Sequence, residues 1–227
     1  MGSVARQLDF VAPLCHNRRV HVPDGLLRPV VFAPLLAGGA LAVGWAARAC
    51  RRVGEDRAPL MGVLGAFVFA AQLVNVPVGV GTSGHFLGTA LLTVLLGWAP
   101  AVVTLTAVLL LQALVLQDGG LTALGANVLN LAVAPALVAT LLGRFASSRR
   151  GLLVAAGAAA WLGVLAAAAL VALELWLSGT AGLRPALTAL VAVHVPIGGI
   201  EAVVTVLVLR FLQSLRPDLV RVRGGEA

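Results

Sequence analysis

The sequence predicts an all-α integral membrane protein, a helical bundle of about seven transmembrane helices, with six as the smaller count. Three observations carry that expectation. Of the 227 residues, 60% are hydrophobic and 11% charged, and the mean hydropathy is +1.01, more apolar than a water-soluble core of this size requires. Apolar runs approaching the roughly 20 residues needed to cross a bilayer follow one another along the chain. All sixteen basic residues are arginine, and most stand at the ends of those runs. The net charge of +7 is therefore a set of topology signals, not a nucleic-acid-binding surface.

Taken in order, residues 1–19 contain no continuous apolar stretch and carry Arg6, Asp9, Arg18 and Arg19, which excludes a cleavable signal peptide. They are expected to be an over-annotated or removable leader. Residues 20–227 are expected to form a single membrane domain with an N-terminal metal-binding segment. Its apolar runs occupy 29–48, 59–74, 86–96, 98–116, 121–143, 151–177 and 185–213. The third run is too short to span alone, so protein must shield it or it must continue an inserted loop, because hydrocarbon cannot satisfy bare amides. Arg48, Arg51, Arg52 and Arg57 follow the first run, Arg144, Arg149 and Arg150 the fifth, and Arg210, Arg216, Arg221 and Arg223 the last. Seven passes put all three clusters on one side. The positive-inside rule makes that side cytoplasmic, with the N-terminus outside and the C-terminus inside. In the first run, Ala33 with Ala37 and Ala42 with Ala46 are spaced for close helix approach.

The polar chemistry gathers on the outer side. His21-Val22-Pro23-Asp24-Gly25 precedes the first helix, and the loop from Asn75 to His85 joins the second run to the third. Two imidazoles on one side of a bundle can share a metal ion, and nitrogen-rich tetragonal sites suit Ni(II) or Cu(II). A lone loop histidine is more often solvated or hydrogen-bonded, so the residue types alone leave both readings open. Cys15 and Cys50 are far apart without CxxC spacing and imply neither a thiolate site nor a disulfide framework.

The strings HVPDGLL at 21–27, NVPVGVGTSGHFLG at 75–88, DGGLTALGANVLN at 118–130 and HVPIGGIEAVVT at 194–205 together resemble the CbiM/NikM family, the substrate-binding subunits of energy-coupling-factor cobalt and nickel transporters. The resemblance runs from Val20 to about Arg216. It implies capture of Ni(II) or Co(II) as transported substrate, with no organic cofactor. The implied partners are a membrane coupling subunit, ATPase subunits, a small additional membrane subunit and the lipid bilayer, with no nucleic acid. Family members typically begin Met-His-Ile-Pro-Asp-Gly and hold the metal through the terminal amine, the amide nitrogen and imidazole of the second residue, and a loop histidine. Carried onto this chain, the donors are Val20, His21 and His85. Here nineteen residues precede Val20 and Gly2 follows Met1, so a start at Val20 is expected, as a GTG initiation codon read as valine within an over-extended frame.

The resemblance leaves supporting roles to the residues around these donors. Asn75, Thr82 and Ser83 are candidates to fix a ligating ring through its other nitrogen, while Gly81 and Gly84, with Gly79, let the loop fold back. His194 and Glu201 lie on one face of the last helix and are either a structural pair or a gating element. Asn127 and Asn130 either bond neighbouring helices or line a vestibule. Glu174 is expected to reach interfacial water. The chain has no GxxxxGK[ST] motif, so it is not expected to be an enzyme, and ATP hydrolysis belongs to a partner. The alternative from another class is an intramembrane serine protease, on the match of Gly81-Thr82-Ser83-Gly84 to GxSG with His194 as base. A secondary transporter would need an inverted repeat, which the chain does not display.

Overall fold

The computed structural model describes residues 21–52, 57–74, 76–79 and 82–220. Val20, Asn75 and Gly81 lie outside them, as do the leader and the last seven residues. Seven helices follow in order: α1 Pro29–Cys50, α2 Ala58–Gln72, α3 Thr89–Leu96, α4 Trp98–Leu116, α5 Leu124–Gly143, α6 Arg149–Leu177 and α7 Leu183–Leu215. A short antiparallel hairpin, β1 Val76–Gly79 and β2 Thr82–Gly84, interrupts the connection between α2 and α3. Five helices, α1 and α4 to α7, are long and apolar enough to cross a membrane. The chain is a multi-pass membrane protein.

The two short helices behave as the shortage of apolar residues requires. Helix α3 has eight residues, all but Val94 buried, so protein covers the backbone on every side, as hydrocarbon could not. It begins at Thr89, not at the start of the 86–96 run, because Phe86 to Gly88 belong to the inserted connection. Gly97 then turns the chain at φ +91° into α4, a backbone conformation that side-chain-bearing residues rarely adopt.

Small residues set how closely the spans approach. A Cβ on Gly125 of α5 would run into the backbone of Leu35 and Leu36, and one on Gly39 of α1 would lie 3.0 Å from Gly125 Cα. Helices α1 and α5 therefore cross backbone against backbone, the contact that dispersion favours between helices where lipid offers no hydrophobic drive. Helices α6 and α7 pack along their lengths. Gly157 meets Val206, Gly198 meets Trp161, and Trp161 Nε1 donates to the Val195 carbonyl at 3.1 Å. That carbonyl lies beside Pro196, which interrupts the ladder of α7. The alanine pairs on α1 have a divided fate, since Ala46 is buried in the core and Ala33, Ala37 and Ala42 are not.

Burial divides the core into clusters. Ala46, Ala49 and Cys50 of α1, Leu96, Trp98, Ala99, Ala146, Leu209, Leu212, Leu219 and Val220 belong to the large one, which also takes in Val68, Leu105 and Val128. Val22, Leu27, Ala123, Ala172, Leu175, Ala186 and Leu190 form a second cluster around the segment ahead of α1. Large exposed side chains such as Leu41, Val63 and Leu207 line the periphery, where lipid supplies an apolar surround.

Candidate metal centre

The segment after Val20 is seated by backbone bonds to two connections distant in sequence. Val22 N–H donates to Asn127 Oδ1 at 3.0 Å, and Asn127 Nδ2 donates back to the Val22 carbonyl at 3.0 Å. Gly120 N–H also donates to that carbonyl, at 2.9 Å. The Asp24 carboxylate accepts from Thr122 N–H at 2.7 Å, from Leu121 N–H at 3.1 Å and from the Thr122 hydroxyl. It thereby caps the entry to α5 from another part of the chain. The Thr122 hydroxyl is the main reason that this carboxyl is held below its ordinary 3.8, against a smaller opposing effect of burial. Gly120 is fixed by this contact, because a Cβ there would strike Asp24 N and Oδ1. Further on, Arg28 N–H donates to Ser178 Oγ at 3.2 Å, Arg28 Nε donates to the Ser178 carbonyl, and Thr180 Oγ1 donates to the Leu26 carbonyl at 3.0 Å.

This seating buries His21 to 4% exposure. Its ring lies edge-on to that of His85, centroids 5.1 Å apart and planes at 80°. Two imidazoles bound to one ion at about 2 Å have centroids roughly 4–6 Å apart, so the observed spacing suits joint ligation. Neither ring nitrogen of His21 has a hydrogen-bond partner among the described residues. Nδ1 stands 3.5 Å from Asp118 Oδ2, and the His21 N–H donates to Asp118 Oδ1 at 3.4 Å. Buried imidazole nitrogens without partners carry a desolvation cost that coordination would offset.

His85, in the connection ahead of α3, places Nδ1 2.9 Å from the Phe86 carbonyl. A carbonyl can only accept, so the proton is on Nδ1 and Nε2 keeps its lone pair. Burial first, and the nearby His21 second, push this imidazole down to about 4, which leaves the ring neutral and available as a donor at ordinary pH. Among the described residues, no three His, Cys, Asp or Glu side chains gather closely enough to hold a metal ion by themselves.

Behind His85, the next peptides are gripped from two helices. Leu87 N–H donates to Glu201 Oε2 at 2.7 Å and Gly88 N–H to Oε1 at 2.8 Å, while Gln72 Nε2 donates to the Leu87 carbonyl at 3.0 Å. Gln112 Nε2, at the π-helical end of α4, donates to Gln72 Oε1 at 2.8 Å. Gly88 is at φ +78°, with the methyls of Val68 where a Cβ would be.

The structure sorts the remaining expected residues. Glu201 bonds to backbone and His194 Nδ1 donates to the Leu190 carbonyl at 2.7 Å, so the proposed His194–Glu201 pair does not form. Asn127 holds the N-terminal segment rather than a neighbouring helix. Asn130 Nδ2 donates to Glu174 Oε2 at 2.9 Å. Glu174 is 4% exposed, a correction to its expected place at the water interface: the carboxylate is tolerated among apolar helices because an amide meets it. Thr82, Ser83 and Gly84 belong to β2, not to the top of a helix, where the protease alternative needs its nucleophile. Gln72 and Gln112 belong to no motif, and their signal in the sequence is an amide in an otherwise apolar run.

Residues 21–219 match the family described as cobalt uptake substrate-specific transmembrane region. A metal transport protein of Haloquadratum walsbyi is 38% identical over 207 residues, covering 88% of this chain and 93% of that protein. The fused nickel transport protein NikMN of Rhodobacter capsulatus is 34% identical over 232 residues, covering 92% of this chain and 66% of that protein. A crystal structure of a truncated transition metal transporter superposes with a TM-score of 0.79 at 31% identity, covering 86% of this chain and 99% of that one.

Proposed function

The chain belongs to the CbiM family of cobalt uptake substrate-specific transmembrane proteins, and on that premise we propose that it captures Ni(II) or Co(II) from outside the cell for an ATP-driven importer. The ion is held by the Val20 amine, the amide nitrogen and imidazole of His21, and the His85 imidazole. Amine and amide close a five-membered chelate ring and the His21 side chain a six-membered one, so one dipeptide supplies three nitrogens. His85 completes a square-planar set, which suits Ni(II) among divalent ions. The working chain begins at residue 20, the start that puts a free amine beside His21. The observation that carries the proposal is the meeting of His21 and His85 at 5.1 Å, with the His21 ring buried and its Nε2 without a hydrogen-bond partner among the described residues.

The arginine-rich end faces the cytoplasm and the His21 end faces out. A membrane coupling subunit, ATPase subunits and a small additional membrane subunit drive release inward. The chain itself binds the ion, and ATP hydrolysis belongs to a partner subunit.

The test is metal binding by two purified forms, one starting at residue 1 and one with Met in place of Val20 as its first residue, each with and without His85→Ala. Stoichiometric Ni(II) or Co(II) binding by the short form alone, abolished by His85→Ala, is the expected result. Binding that ignores His85 would refute the site.

A further inference from the structure

Glu201 lies near the middle of α7 at 2% exposure and Gln72 at the end of α2 at 4%. Both carboxylate oxygens of Glu201 accept peptide N–H groups, at Leu87 and Gly88, and the carbonyl of the same Leu87 accepts from Gln72. Leu87 is thus held at both of its backbone polar groups by side chains from two different helices, and Gln112 of α4 braces Gln72 from behind. A serine or asparagine oxygen at a helix start usually meets one such amide, and a carboxyl group in the middle of a spanning helix is a costly choice for that task. What it adds is a second acceptor oxygen on the same rigid group, so that one side chain meets both N–H groups.

His85 is joined to this anchored dipeptide through Phe86 alone, and the Phe86 carbonyl also accepts from the His85 ring. The imidazole therefore has few ways to move unless the Leu87 peptide moves. We propose that Glu201 and Gln72 are positioning residues for His85, which hold its ring at the reach and angle at which it can meet an ion shared with His21. The proposal rests on the His21–His85 site put forward above. It also makes α7 the helix whose displacement would draw His85 away from His21.

The test uses whichever form of the protein binds Ni(II) in the experiment above, with its wild-type sequence and His85→Ala as references. Glu201→Gln keeps the shape but replaces one acceptor with an NH2 group facing a peptide N–H. It is expected to weaken Ni(II) binding by about 10–100-fold, the usual effect of losing a partner that orients a ligand. The visible absorption of the square-planar ion should give way to the weaker, longer-wavelength absorption of a less regular site. In metal-free protein, amide exchange over 86–96 should rise while that over 151–177 stays the same, a readout independent of any metal. Glu201→Asp should recover part of the affinity. If Glu201→Gln does not fold, Gln72→Met, which keeps length and removes the donor to Leu87 together with the acceptor for Gln112, carries the test in the same direction. Wild-type affinity within twofold, with unchanged exchange over 86–96, would overturn the positioning role. Wild-type protein whose binding is indifferent to His85→Ala would overturn the site itself and this role with it.

Discussion

Replacing Asn127 with leucine removes the amide that holds Val22 and leaves the apolar volume nearly unchanged. Two buried hydrogen bonds of 3.0 Å are lost. The Val22 carbonyl keeps Gly120 N–H at 2.9 Å, whereas the Val22 N–H loses its only recorded partner. At about 1 kcal/mol for each net bond and about 1–3 kcal/mol for a stranded buried donor, the seating of residues 21–27 weakens by about 2–4 kcal/mol, counting the two costs on the N–H as overlapping. At 1.4 kcal/mol per tenfold, that shifts the docked-to-undocked ratio by about 30- to 700-fold. Apparent affinity falls by the fraction of molecules left undocked. Ni(II) titration against a competing coloured chelator should therefore show weaker binding by Asn127→Leu, with amide exchange over 21–27 faster and the melting temperature of the bundle little changed, since α1 to α7 lose no contact between spans. Wild-type affinity together with wild-type exchange over 21–27 would show that Asn127 does not hold the segment and would refute the ledger.

Other variants test neighbouring parts of the fold. Gly120→Ala, whose Cβ would strike Asp24, should weaken Ni(II) binding at least tenfold, measured by the same titration. Gly125→Ala forces α1 and α5 apart and should cost about 1–3 kcal/mol, seen as a melting temperature lower by several degrees in detergent, whether or not metal is bound. The Asp24 carboxyl is depressed below 3.8 in the folded protein. Its contribution is therefore complete above that value and is lost only as the pH falls through the lower folded value. Asp24→Asn should accordingly raise exchange over 21–27 at pH 7 after correction for intrinsic rates, and exchange equal to that of wild type there would exclude Asp24 as the holding group.

The fold was legible because the bilayer simplifies the problem. Each long apolar run became a helix, and the runs at 98–116 and 121–143 match α4 and α5 closely. The short third run announced a shielded segment, because its length fell below what a span needs. The nearness of His21 to His85 was legible in the sequence, and the groups that hold them were less so. Nothing in the spacing of Glu201 reveals that its carboxylate caps Leu87 and Gly88, 114 and 113 residues away, since hydrophobic periodicity places a residue on a helix face and does not choose its partner. Glu174 was misplaced for the same reason. Nearness to a helix end suggested water, while Asn130, carried inward by the π-helical turn at Val128–Val133, was what it met.

The anchoring of the first described residues by the last third of the chain carries a consequence for biosynthesis. Arg28 is bonded to Ser178, 150 residues later, and Leu26 to Thr180. At about 5–20 residues per second, the ribosome needs roughly 8–30 s between making one partner and the other. Throughout that interval the stretch from Leu26 to Arg28 lacks the partners that hold it at Ser178 and Thr180. Full seating of the N-terminal segment is thus a late event in the life of each molecule, completed only when the sixth helix has been made and the chain is almost complete.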